Sequence, residues 1–152
     1  GQQVAAEAGK NLKKSVLELG GSDPYIILED ADIDLAVASC GASRMLNGGQ
    51  VCIAAKRFIV VQSRQEEFTA KIVDLMRTYN MGDPLDTGNN FGPMAKLRLR
   101  DELHQQVLQT IVQGAELLLG GEVPDKPGAW YPATVLTHVS RGMTAFKEEL
   151  FG

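Results

Sequence analysis

The sequence predicts an α/β fold, a mainly parallel sheet flanked by helices, on three observations. Extended and helical patterns follow one another in the order strand, strand, helix, strand, helix, helix, strand, strand. Tyr25-Ile26-Ile27-Leu28 is a continuous apolar run, the kind of strand that suits a sheet covered on both faces. Elsewhere, apolar residues recur at helical spacing over several turns, as expected for helices laid against such a sheet.

Residues 1–10 have the composition of the last turns of a helix, with Gly9 placed to close it in a left-handed conformation. Val16-Leu17-Glu18-Leu19 reads as a short strand stopped by Gly20-Gly21, and Tyr25–Leu28 as a second strand after Pro24. Asp30 is placed to cap a helix whose positive end is complemented by Asp32 and Asp34. Its apolar stripe is Ile33, Val37 and Cys40, and Gly48-Gly49 ends it. Phe58–Val61 reads as a strand. Ser63 and Glu66 have the spacing of a capping box, opening a helix with the stripe Phe68, Ile72, Leu75 and Tyr79; that accounts for Glu66 and Glu67 without catalysis. The Gly-, Pro-, Asp- and Asn-rich residues 81–94 form a long surface loop. Leu99, Leu103, Val107 and Ile111 mark a helix over 95–113 closed by Gly114, and His104 among Glu102, Gln105 and Gln106 reads as a solvated residue of it. Ala115–Leu119 is a further strand, 122–129 turns, Tyr131–Val139 includes a strand containing His138, and 140–147 is irregular.

A chain of 152 residues suits one core, burying about 70% of its unfolded surface. With 44% hydrophobic and 22% charged residues it has an ordinary globular composition, and its net charge of −4 argues against nucleic acid or an anionic membrane as partner. Small molecules or protein surfaces remain. No apolar run approaches the roughly 20 residues of a membrane span, and the N-terminus lacks a secretion-signal pattern, so the expectation is a cytoplasmic location. Cys40 and Cys52 have neither disulfide-framework nor zinc-site spacing and are expected to be reduced. A start at Gly1 and an end at Gly152 without a polar tail read as a piece of something longer.

Chemistry concentrates in Leu46-Asn47-Gly48-Gly49-Gln50-Val51-Cys52-Ile53-Ala54-Ala55-Lys56-Arg57, where a cysteine follows a turn of small residues and precedes an apolar strand. A thiolate attacks carbonyls well, and glycines give both a bend and room for a substrate. Lys56 and Arg57 are close enough in sequence to favour the thiolate. On local pattern alone, Cys52 is equally well a small buried hydrophobe. Cys40, on its helix stripe, belongs to the core.

Three stretches together, Leu17-Glu18-Leu19-Gly20-Gly21, the Gly49-Gln50-Val51-Cys52 turn with its flanks, and Glu148-Glu149-Leu150-Phe151-Gly152, resemble the aldehyde dehydrogenase superfamily. Glu29-Asp30-Ala31-Asp32 and the run from Gly114 to Gly121 resemble it as well, so the likeness covers essentially the whole chain. It implies a fold like that of the family's catalytic domain, truncated at both ends: residues 1–21 end a cofactor-domain segment, and 22–152 are catalytic domain without its C-terminal part. It further implies a parent enzyme that is a homo-oligomer and uses NAD or NADP to oxidise an aldehyde to its acid through a cysteine thiohemiacetal and thioester; the isolated chain is expected to be inactive.

Carried over position by position, the resemblance makes Cys52 the nucleophile and Glu18 the general base. Glu149 holds the nicotinamide ribose, Phe151 lies against the nicotinamide face, and Leu19 joins the cofactor-binding set. One oxyanion donor is the backbone N–H of Cys52, and the family's second, an asparagine, lies upstream of Gly1. Read without the family, Glu18 is a strand-end carboxylate, Glu149 a surface charge and Phe151 a core ring. As a base, Glu18 would sit in a partly desolvated pocket that raises its pKa. Its presence implies release of a free acid. The wording GQVCIAAKRFIV is most similar to the superfamily's bacterial succinate semialdehyde branch, which implies a short aldehyde bearing a carboxylate, although Arg57 is not assigned as its anchor.

Overall fold

A computed structural model describes residues 1–152. Helix α1 spans Gln2–Lys10, strand β1 Pro24–Ile27, helix α2 Ile33–Met45, strand β2 Arg57–Val60 and helix α3 Gln62–Arg77. After the long loop come α4 (Leu97–Val112), β3 (Glu116–Leu119), β4 (Val135–Thr137) and a single-turn helix α5 (Thr144–Lys147). The α/β expectation holds, with β1 and β2 as a parallel pair joined through α2, Tyr25 opposite Phe58 and Ile27 opposite Val60. β3 and β4 form a separate antiparallel pair with an irregularity between Leu117 and Leu119.

Period-two alternation divides β1 between core and solvent. Tyr25, Ile27, Phe58 and Val60 face α2 and α3, whose Ile33, Val37, Cys40, Phe68, Ile72 and Met76 complete one core cluster. Phe58 meets both Tyr25 and Phe68 edge-on, at centroid distances of 6.4 and 5.7 Å. The opposite face is open: Ile26 is 63% exposed and Ile59 44%, so helices cover one side of this sheet and not both as its apolar run predicts. A second cluster joins Leu103 and Val107 of α4 to Met94, Ala129 and Tyr131, with Leu150 against it.

Several local expectations are corrected. Val16–Leu19 is extended but is no strand, because no neighbour supplies a ladder of hydrogen bonds, and Val16 is 82% exposed. α1 runs through Gly9 to Lys10, and the left-handed residue beyond it is Leu12. Asp32, not Asp30, caps α2 by accepting the Leu35 N–H at 3.1 Å. α2 ends at Met45, and Gly48-Gly49 belongs to a following 3₁₀ turn, Leu46–Gly49. Ser63 makes no capping box, since α3 begins two residues earlier with Val61 at its N-cap and the Ser63 hydroxyl donates to Glu29 instead. Glu67 pairs with Arg64 and Lys71. His138 lies just past β4 with φ +57°, and residues 144–147 are helical because Gln113 and Thr110 side chains accept the N–H groups of Thr144 and Ala145. No helix is long and apolar enough to cross a membrane.

Candidate active site

The loop carrying Cys52 is built by left-handed backbone. Asn47, Gly48 and Gly49 have φ of +52°, +61° and +81°, which reverses the chain after α2 and delivers it to β2. Ala54 and Ala55 are buried, and the Ala55 N–H donates at 3.1 Å to the Ser43 hydroxyl, itself 2.9 Å from the Tyr25 hydroxyl. Gln50 accepts the Ala95 N–H at 2.9 Å. Cys52 is half-buried on this anchored turn, whereas Cys40 is buried in the core with its thiol pushed up to about 11 by desolvation. Both thiols are free.

Lys56 directs its hydrogen bonds to loop carbonyls while the Cys52 thiolate still acts to raise its pKa, and Arg57 is directed elsewhere. The Lys56 side chain is fully buried, and its ammonium donates to the carbonyls of Cys52 at 2.8 Å and of Val51 and Ala54 at 3.3 Å. Burial lowers its pKa, and the Glu149 carboxylate opposes that shift. Arg57 donates to the Ser22 carbonyl from Nε at 2.8 Å and stacks 4.9 Å from the Phe146 ring centroid, so its guanidinium is already committed.

Glu149 is where the three motif stretches meet. Its Oε1 accepts the Gly21 N–H at 3.2 Å and lies 3.8 Å from Lys56 Nζ. A β-carbon on Gly20 would fall 1.8 Å from Oε2, so only glycine admits the carboxylate at this place. Arg44, in the last turn of α2, donates to the carbonyls of Leu150, at 3.2 Å, and Gly152, while burial lowers its pKa to about 10. Gly49 closes the contact from the other side, because a β-carbon there would lie 2.8 Å from the Gly152 carbonyl. Phe151 is 38% exposed beside these anchored residues, and Leu19 is 60% exposed with its side chain against Gly1.

Glu18 is exposed in this chain, on a segment before Gly20 that joins no sheet, and not in the partly desolvated pocket that a role as base implies. It joins the assembly through Gly20-Gly21, Glu149 and Lys56 to the Cys52 loop. His104 is not simply solvated: its Nδ1 lies 3.2 Å from the Tyr131 hydroxyl, with the rings edge to face. A cavity of about 500 Å³ is lined by residues of both core clusters, among them Phe68, Ile72, Leu103 and Tyr131, and by Lys56, but neither Cys52 nor Glu18 lines it.

Sequence reasoning missed Arg44 and the bracing role of Lys56. A lysine directly after the small, apolar run Val51–Ala55 was the available signal, because a cation in such a setting needs buried acceptors. Arg44 carried none beyond its place at a helix C-terminus, where any basic residue is favourable.

Over its whole length the chain is 55% identical to succinate semialdehyde dehydrogenase (NAD(P)+) of Escherichia coli K12, covering 33% of that protein. Its fold superposes in full on lactaldehyde dehydrogenase from Escherichia coli, with TM-score 0.96, 35% identity and 32% of that chain covered. It superposes equally fully on succinic semialdehyde dehydrogenase from Streptococcus pyogenes in complex with NADP+, with TM-score 0.93, 38% identity and 33% covered. The chain thus spans about a third of the length of these relatives. The model of the aldehyde dehydrogenase family matches residues 1–152, every position of the sequence, and the chain belongs to that family.

Proposed function

We propose that this chain supplies the nucleophile, the general base and part of the cofactor site of an NAD- or NADP-dependent enzyme that oxidises succinate semialdehyde to its acid. The observation that carries the reading is the convergence on Glu149 of the Gly20-Gly21 turn, the Cys52 loop and the C-terminal segment, far apart in sequence. The 55% identity to a succinate semialdehyde dehydrogenase supports the substrate. In this reading residues 1–21 lead in from a cofactor-binding domain and 22–152 belong to the catalytic domain.

The residues present fit a nicotinamide dinucleotide. Glu149 offers a carboxylate 30% exposed and fixed by a backbone N–H, suited to a ribose hydroxyl, and Phe151 offers an exposed ring two residues on. When bound, the nicotinamide supplies the oxidation by accepting a hydride. Cys52 Sγ, as thiolate, forms a bond to the aldehyde carbon while the carbonyl electron pair moves to oxygen, where the Cys52 N–H donates to it. Sulfur then holds the acyl group as a thioester. Glu18 takes a proton from water, whose oxygen adds to the acyl carbon, and the acid departs as sulfur leaves with its electron pair. In the full-length enzyme Glu18 needs cover that this chain does not provide.

The test is a panel of aldehydes with the full-length enzyme. The expected kcat/KM for succinate semialdehyde exceeds that for butanal and for lactaldehyde by at least about tenfold, since a buried carboxylate anchor contributes ~1.4 kcal/mol or more. Equal values across the panel would overturn the substrate assignment and favour a neutral-aldehyde enzyme akin to the lactaldehyde relative.

A further inference from the structure

We infer that Lys56 is the positioning residue of the oxyanion site: its buried ammonium holds the Val51–Cys52 peptide so that the Cys52 N–H is turned outward, free to donate. This rests on the reading of Cys52 as nucleophile. The Val51 carbonyl and the Cys52 N–H belong to one peptide unit, and all peptide bonds of the chain are trans, so the two point in opposite directions. The carbonyl is held by two donors, Lys56 Nζ at 3.3 Å and the Ala54 N–H at 3.1 Å. The Cys52 carbonyl is taken by the same ammonium at 2.8 Å, which fixes the next peptide as well. The Cys52 N–H itself donates to nothing in the chain. The neighbouring Val51 and Ile53 N–H groups are unpaired as well, but the Cys52 N–H alone lies between two carbonyls held by Lys56 and next to its own sulfur, as a preorganised oxyanion donor requires.

Charge adds to position. An ammonium on the carbonyl oxygen draws electron density through the peptide and strengthens its N–H as a donor. Lys56 is held in turn by Glu149 at 3.8 Å, so the group that fixes the oxyanion donor also touches the carboxylate proposed for the ribose. An arginine could not take this place, because a side chain with no exposed surface leaves no room for the larger fork. A purely structural role would have Lys56 satisfy three carbonyls and nothing more, and that alternative is separable by experiment.

In the full-length enzyme, Lys56→Met and Lys56→Gln are compared with the parent in two reactions of Cys52. In the first, p-nitrophenyl acetate acylates the thiolate: sulfur bonds to the acyl carbon, a tetrahedral oxyanion forms, and its collapse expels p-nitrophenolate, leaving a thioester that water hydrolyses. In the second, iodoacetamide alkylates the same sulfur by displacement of iodide, with no oxyanion. Neither reaction needs the nicotinamide, so any loss of cofactor binding through Glu149 is silent in both. The ratio of acylation to alkylation rate is expected to fall on the order of tenfold to a hundredfold in Lys56→Met, the range set by a displaced oxyanion donor, and by less in Lys56→Gln, which keeps part of the hydrogen bonding. An unchanged ratio in a variant that unfolds cooperatively overturns the proposal, and so does failure of both variants to fold, which would make Lys56 a structural strut. Cys52→Ala, run alongside, identifies the other failure: ester hydrolysis surviving in it would overturn the nucleophile assignment rather than the role of Lys56.

Discussion

At the scale of single residues, the two cysteines of this chain show how backbone context separates an accessible thiol from a buried one. Cys40 lies on the apolar stripe of α2 and is 2% exposed among Ile33, Val37 and Ile72. Its thiolate would have to form in hydrocarbon, and burial pushes the thiol up to about 11. Cys52 sits half-buried on a turn. Alkylation by iodoacetamide, followed by peptide mass spectrometry, is therefore expected to modify Cys52 at least about tenfold faster than Cys40 at pH 8. The sign of the pH effect follows: burial favours the protonated thiol, so native Cys40 stays unmodified through the neutral range and gains reactivity only as pH rises toward about 11. Equal rates at pH 8 would contradict the assignment of the two sites. Cys40 as core was legible in the sequence because helical spacing alone identifies a buried stripe. The surroundings of Cys52 were not, because Lys56, four residues on, turns back to donate to three carbonyls of its own loop, which spacing alone does not show.

At the scale of elements, the turn between α2 and β2 does the positioning, and its geometry makes Gly49 irreplaceable. With φ at +81°, and a would-be β-carbon 2.7 Å from Arg44 Nη2 and 2.8 Å from the Gly152 carbonyl, Gly49→Ala must both strain the backbone and push the C-terminal segment off Arg44. The expected result in the full-length enzyme is a KM for the nicotinamide cofactor raised about tenfold, corresponding to ~1.4 kcal/mol, through displacement of Glu149 and Phe151. An unaltered cofactor KM would show that the contact between turn and tail has no part in cofactor binding. Elements specified by local rules were read correctly from sequence: α2 by its apolar stripe, α4 by Leu103 and Val107 and the closing Gly114, β1 and β2 by their apolar runs. Elements that depend on distant partners were not. Val16–Leu19 has strand composition but no ladder, and the one-turn helix at Thr144–Lys147 exists because Gln113 and Thr110, on another element, accept its first N–H groups. Ser63 matched a capping box by spacing, yet its hydroxyl found Glu29.

At the scale of the whole molecule, two small sheets and their helices hold three sequence motifs against one carboxylate. The α2–α3 layer packs on one side of β1–β2, and α4 packs with the residues around β3–β4, so the loop at Cys52 and the tail at Glu149 meet where these two units join. Ile26, Leu28 and Ile59 leave an apolar face without cover, and Glu18 stands exposed at the same time. The relatives this chain matches are about three times as long. In the proposed reaction, sulfur at Cys52 carries the acyl group and Glu18 delivers the water that removes it. The most direct measurement is mass spectrometry of the full-length enzyme bearing Glu18→Gln after incubation with succinate semialdehyde and NAD(P)+. A succinyl thioester is expected to accumulate on the peptide that contains Cys52 and to be absent when Cys52→Ala is added. Acyl adducts on another residue, or none in a Glu18→Gln enzyme that turns over as fast as its parent, would contradict it.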